Sequence, residues 1–336
     1  LEIINYHLDE KLHLPKNYLS VFQDLSFAMF DIETTGLNPE YSQVILIGIL
    51  YVQEERIAIR QLFCTHRNEE KILLETFQNE IKNFDMLLSY NGDTFDIPFL
   101  NKRFQYHHIP CKIESYKNFD LLRFVRKQKE ILNLQDCKLK SVEKSLGIHR
   151  KDILSGKESV ELYNLFENNR NSHLKKLILL HNYDDLYYFS KCLEILDKVN
   201  LEEFLPSIPI IISIDAEKKC YVTKWAIQNH ALLVQGFYPP STRNYNHREY
   251  GLGFHFKFHH KTQSFEATIP LYKGSLSTGL SCLYINLNDF SFCHQTKSKE
   301  YQVPDHLVIL KEGKKEKKLE IWHFMISFLR YILSGF

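Results

Sequence analysis

Residues 27–63 read FAMFDIETTGLNPEYSQVILIGILYVQEERIAIRQLF. Three short apolar runs dominate the stretch: FAMFDIE, QVILIGILYV and RIAIRQLF, separated by the turn-prone TGLNPE and the charged QEER. Runs of that length, rich in β-branched and aromatic residues, are strands joined by tight connections. The stretch therefore predicts a three-stranded meander. On its first strand, side chains at i and i+2 share a face, so Asp31 and Glu33 project together while Phe30 and Ile32 point the other way. Carboxylates that close repel each other, and hard divalent ions such as Mg²⁺, which prefer oxygen ligands, relieve the repulsion.

Downstream, a helix is expected with Asn68 as its N-cap and Ile72, Leu73, Phe77 and Ile81 at helical spacing, leading into the apolar run 86–90. Asn91-Gly92 signals a turn, and a second helix should begin near Phe95 with Pro98 confined to its first turn. Asp96 then sits at a helix start directly after a buried strand, where a carboxylate suits the helix N-terminus. Residues 118–122 read as another strand, and the chain to about residue 200 reads as helices, the last over 172–196. On that helix His181 and Asp185 are four apart and share a face. Asp184 lies about 100° around the axis from Asp185. The alternation of strand and helix predicts an α/β layer fold.

Around Leu205, Pro206, Ser207 and Pro209 the texture changes to short β-like runs broken by Pro239-Pro240 and several glycines. Phe254, Phe256 and Phe258 alternate with His255, Lys257 and His259, the period of a half-buried strand; the Phe stripe reads as facing a core, the alternative being a substrate platform on which bases stack. The basic KEGKKEKK at 311–318 reads as a hairpin tip, and 320–333 as a closing amphipathic helix. The expected division is an N-terminal extension (1–24), an α/β domain (25–200) and a β-rich α+β domain of unknown role (206–336).

The chain has 336 residues, 44% hydrophobic and 25% charged, which excludes wholesale disorder, collagen-like repeats and coiled coil. Its longest uncharged apolar runs fall well short of the roughly 18 residues that span a bilayer. Asp9, Glu10 and Lys11 do not suit a secretory signal. Seven cysteines, at 64, 111, 137, 192, 220, 282 and 293, form no C-x-x-C pair and fit reduced thiols in a cytoplasmic protein. Net charge is only +1, yet residues 1–100 hold 7 Lys+Arg against 16 Asp+Glu, and residues 101–151 hold 13 against 5. That basic segment, which includes Lys138, Lys140, Arg150 and Lys151, reads either as a footprint for a phosphate backbone or as solvated helix faces.

FDIETTGL, NGDTFD and HNYDD resemble the three exonuclease motifs of the DEDD 3′-to-5′ exonucleases, and LKSVEKSLGIHRKDILSG at 139–156 resembles the bacterial YprB-type group among them. The resemblance covers about residues 25–197 and leaves 206–336 unmatched. It implies a ribonuclease-H-like mixed sheet flanked by helices, with two divalent cations, Mg²⁺ or Mn²⁺, on Asp31, Glu33, Asp96 and Asp185. His181 is implied as general base, although it stands four positions before the last Asp, the spacing of tyrosine-type members, whereas histidine-type members use five. Thr35, Gly36 and Asn91 are candidate contacts to the terminal nucleotide, and Lys138, Lys140 and Arg150 to the backbone. The implied activity releases nucleoside monophosphates from the 3′ end of nucleic acid, DNA favoured over RNA, in a repair setting where a helicase or repair partner is conceivable and no membrane is involved. The alternatives are an inactive nucleic-acid-binding module of the same fold and an exonuclease directed at RNA.

Overall fold

Val44–Gln53 is apolar over its first seven residues, so it is stable only in a sheet covered on both faces. The computed structural model places it there. The structure describes residues 1–150, 156–215, 218–238, 243–249, 251, 253–290, 292 and 301–334, with residues 156 and 157 as backbone only. Lys151, Pro239, Pro240 and Cys293, and residues 151–155 of the 139–156 motif, lie outside the described residues. The chain divides into two compact units, Leu1–Asn200 and Leu201–Phe336.

The first unit runs β1 (Glu2–His7), α1 (Lys16–Phe22), β2 (Phe27–Thr34), β3 (Val44–Gln53), β4 (Arg56–Phe63), α2 (Glu70–Ile81), β5 (Met86–Ser89) and α3 (Asp96–Tyr106). It continues through β6 (Asn118–Asp120), α4 (Leu121–Lys127), α5 (Leu139–Ser145), α6 (Gly156–Asn169) and α7 (Ser172–Cys192). The sheet order is β1-β4-β3-β2-β5-β6. The pairs from β1 to β2 are antiparallel, and β5 and β6 continue parallel to β2. One face packs Phe30, Ile32, Ile47 and Ile49 against Leu73, Leu74 and Phe77 of α2. The opposite face meets α6 and α7 through Leu46, Phe63, Tyr163, Phe166 and Ile178. The alternating pattern predicted this α/β layering, and the mixed sheet flanked by helices is the one that the family resemblance implied.

Three local readings differ. Asn68 does not cap the helix: a 3₁₀ turn over Arg67–Glu69 precedes α2, and His66 and Glu69 form its capping box. Ile72 accordingly rotates to solvent and Leu74 takes its place in the core. The strand at 118 stops at Asp120, whose side chain accepts the Leu122 N–H 2.9 Å away and so starts α4 at once. The first residues, expected as an extension, supply the edge strand β1, paired along β4 from Glu2 to His7.

The second unit holds α8 (Leu201–Phe204), then β7 (Ile210–Ser213), β8 (Lys219–Gln228), β9 (Ala231–Phe237), β10 (Tyr245–Arg248), β11 (His255–His259), β12 (Ser264–Pro270), β13 (Tyr272–Ser275), β14 (Ser281–Asn286), β15 (Leu307–Glu312), β16 (Lys315–Glu316) and α9 (Lys318–Ser334). Its sheets have the orders β10-β11-β12-β9-β8-β7 and β13-β14-β15-β16, antiparallel throughout. Phe254, Phe256 and Phe258 are buried in one core with Ile321, Phe324 and Phe328 of α9, so they cannot stack on bases. The 311–318 run turns at Gly313, whose φ of +54° suits a tight turn. Among the described residues, no helix is long and apolar enough to cross a membrane, and Cys64, Cys111, Cys137, Cys192, Cys220 and Cys282 are free thiols.

A buried ion pair ties the loop after β2 to the helices. Arg103 of α3 donates Nε and Nη2 to the two Glu70 oxygens at 2.8 and 2.6 Å and Nη1 to the Pro39 carbonyl at 3.0 Å. Glu70 also accepts the Val44 N–H at 2.8 Å, so losing the guanidinium strands a carboxylate in the core. Arg103→Met should lower unfolding free energy by about 3 kcal/mol, the low end for a broken buried pair because His107 stays on Glu70. Urea denaturation checks this, and a midpoint equal to that of the parent would refute the buried-pair account.

Candidate active site

Strand geometry sends Asp31 and Glu33 to the face of β2 that α7 covers, while Phe30 and Ile32 enter the α2 core. From α7, His181 and Asp185 reach the same place one turn apart. His181 Nε2 lies 3.7 Å from Glu33 Oε1 and 3.6 Å from Asp185 Oδ2, longer than hydrogen bonds. Glu33, His181 and Asp185 each offer a ligand atom, all within 4.8 Å of one another. Such a gap between donors suits a cation. The imidazole is thus placed as well for ligation as for taking a proton, a role the sequence reading did not give it.

Asp96 arrives from the other side. It is the first residue of α3, and its Oδ1 accepts the Ile32 N–H at 3.2 Å, between the two acids of β2. Asp31 and Asp96 stand outside the Glu33–His181–Asp185 triplet but inside the same electrostatic cluster. Burial pushes the Asp31 carboxyl well above the usual carboxylate range, and the charges of Asp96, Asp185 and Glu33 push it further, against a hydrogen bond from Asn182. Burial likewise pushes Asp96 up to about 7, against backbone N–H bonds from its own amide and that of Ile32. Four converging carboxylates and one imidazole match the donor set that Mg²⁺ or Mn²⁺ takes.

The other predicted residues are placed differently. Thr35 Oγ1 accepts the Gln43 N–H at 2.9 Å, and a Cβ on Gly36 would lie 2.8 Å from Ser42 Oγ, so both residues close the loop after β2. Asn91, at φ +74°, spends its side-chain oxygen on the Thr94 hydroxyl. Lys138 and Lys140 are exposed at the start of α5. Arg150 is a correction: its guanidinium is buried between Asp185 and Glu143, where it meets the candidate ligand itself and not the solvent. Arg103 on Glu70, Lys102 on Glu40 and Arg123 on Asp93 also pair internally, which thins the basic footprint. Tyr183 and Tyr187 stack on each other, and the Tyr187 hydroxyl goes to Glu10.

Sequence reasoning passed over Asp120. Its buried carboxylate accepts the N–H groups of Asn91 at 2.8 Å and Asp93 at 3.1 Å, fixing the turn that delivers Asp96. Its one visible signal was an acid directly before the helix 121–127. Asn182 and Gln61 were passed over as well.

An acid whose pKa is higher in the folded than in the unfolded chain binds more protons when native, so its contribution to stability falls as pH rises between the two values. For Asp96 that window runs from about 4, the ordinary value, to about 7. In EDTA, the Tm difference between Asp96→Asn and the parent should therefore grow in favour of the variant from pH 4 to pH 7. Mg²⁺ should raise the parent's Tm more at pH 8 than at pH 5. Thermal unfolding across pH checks both, and a pH-independent difference would mean that burial does not hold the Asp96 carboxyl above its ordinary range.

The RNase_H_2 family of the RNase_H superfamily matches residues 28–196, half of the chain. An uncharacterized protein of Methanocaldococcus jannaschii is 29% identical over 167 residues, 47% of this chain and 88% of that protein. Among solved structures, the family B DNA polymerase of Pyrobaculum calidifontis is 16% identical, with a TM-score of 0.41 over 54% of this chain and 28% of that one. Exonuclease I is 12% identical, with a TM-score of 0.31 over 63% of this chain and 55% of that one. The chain thus spans well under two thirds of each of these two structures. By its matched residues, the chain belongs to the RNase_H superfamily.

Proposed function

We propose that the first unit is a metal-dependent 3′-to-5′ exonuclease of the DEDD kind, akin to the YprB-type group, that releases nucleoside monophosphates from DNA. The observation that carries this reading is the convergence of Asp31, Glu33, Asp96 and Asp185 from three separate elements into one electrostatic cluster, with the His181 imidazole beside Glu33 and Asp185. Fold alone does not fix function. A cluster of like charges held together against their own repulsion has a use when it binds cations.

Asp31, Glu33, Asp96 and Asp185 would hold two divalent ions, Mg²⁺ or Mn²⁺. Bound there, such ions supply Lewis-acid activation of water and neutralise charge on a phosphodiester in in-line displacement. His181 Nε2, facing Glu33 and Asp185, accepts the proton of the attacking water. Leu37 and Tyr41, 84% and 88% exposed on the loop after β2, offer apolar surface against which a terminal base can stack. Lys138 and Lys140 contact phosphates from the start of α5.

Arg150 favours a second reading. Its guanidinium neutralises Asp185 without a metal ion, as it would in a nucleic-acid-binding module that lacks turnover. One assay separates the two: end-labelled single-stranded DNA, duplex DNA and RNA, each with Mg²⁺ or Mn²⁺, resolved at nucleotide spacing. The nuclease reading expects mononucleotide release abolished by EDTA and, in folded protein, by Asp31→Ala or Asp185→Ala. Full activity in EDTA or in either variant would sink it.

Charge reversal at Lys138 and Lys140 should weaken DNA binding and flatten its dependence on salt, by about one released counterion for each phosphate no longer neutralised. Affinity unchanged across salt would return these lysines to ordinary solvated surface.

A further inference from the structure

Asp31, Gly48 and Gln61 stand in one row across β2, β3 and β4, since Asp31 pairs with Gly48 and Gly48 with Gln61. Residues in such a row point to the same face, here the face beneath α7. The middle position has no side chain. A Cβ on Gly48 would lie 2.2 Å from Asn182 Oδ1 and 2.5 Å from Leu186 Cδ1, so only glycine lets α7 come this close. Asn182 fills the gap and bridges the two ends of the row: Gln61 Nε2 donates to Asn182 Oδ1 at 2.9 Å, and Asn182 Nδ2 donates to Asp31 Oδ2 at 2.9 Å.

The direction of this relay is fixed. Gln61 Nε2 also donates to the Leu179 carbonyl at 2.8 Å, and a carbonyl only accepts. Turning the Gln61 amide over would set oxygen against oxygen, although the present orientation leaves Gln61 Oε1 buried with no partner among the described residues. Gln61 therefore presents N–H to Asn182, which must answer with its oxygen and turn its own N–H₂ to Asp31. Both amides are fully buried, so water does not compete for these bonds.

We propose that Asn182, held by Gln61 across the gap at Gly48, is a positioning residue that fixes the Asp31 carboxylate for a divalent cation. The proposal rests on the metal-binding reading above and adds to it residues outside the resembling motifs' acids. One Asp31 oxygen accepts the amide, which leaves the other for a cation. Outer hydrogen bonds of this kind typically change metal affinity by about 10–100-fold when removed.

The test is Mn²⁺ binding to the full chain, followed by electron paramagnetic resonance, for the parent, Asn182→Ala, Gln61→Leu and the double variant, with circular dichroism as the check on folding. Asn182→Ala should weaken Mn²⁺ binding by about 10–100-fold, and Gln61→Leu in the same direction. In the double variant Gln61→Leu should add nothing, because its effect passes through Asn182. In DNA cleavage, kcat should fall with KM unchanged. Parent-like Mn²⁺ affinity in a folded Gln61→Leu protein, or additive losses in the double variant, would overturn the proposal while leaving metal binding intact; Gln61→Leu decides alone if Asn182→Ala does not fold. A parent chain that binds no Mn²⁺ would overturn both this proposal and the reading on which it rests.

Discussion

Carboxylates of like charge, gathered where little water can screen them, are the constraint around which the first unit is organised. Burial raises the cost of ionising Asp31 and Asp96, and at Asp31 the charges of Asp96, Asp185 and Glu33 raise it further. Only a rigid frame keeps such groups together. β2 fixes two of them by its alternation, the Ile32 N–H holds the third, and one turn of α7 separates the fourth from His181.

The frame around two of these groups is built from hydrogen bonds that amide N–H groups donate. Asp120 pins the turn that carries Asp96 by taking two backbone N–H groups, and the Gln61–Asn182 relay does the equivalent for Asp31. Arg150 is the exception. It brings a positive charge directly to Asp185, and the structure thus carries within itself a cation that a metal would have to share or displace.

The parts legible in the sequence were those with a period or a motif. Short apolar runs in 27–63, separated by turn-prone and charged segments, located β2, β3 and β4, and the spacing of His181 and Asp185 placed both on one helix face. Asn182 and Gln61 escaped because a single amide inside an apolar strand or helix leaves no pattern; its meaning depends on Gly48, far away in sequence. Arg150 was counted with surface charge because sequence shows that a residue is basic but not that Glu143 and Asp185 enclose it. β1 was passed over because it is short and lies at the edge of the sheet, where half its residues face solvent and their apolar signal is weak. In the second unit the Phe stripe was legible as core by period-2 logic, yet among the described residues there no group points to a chemistry.

The central claim is that the acidic cluster is a cation site, and anomalous diffraction from crystals grown with Mn²⁺ tests it most directly. The account predicts anomalous peaks ligated by Asp31, Glu33, Asp96 and Asp185, with the Arg150 guanidinium withdrawn from Asp185. No peak at saturating Mn²⁺, with Arg150 still seated on Asp185, would contradict it.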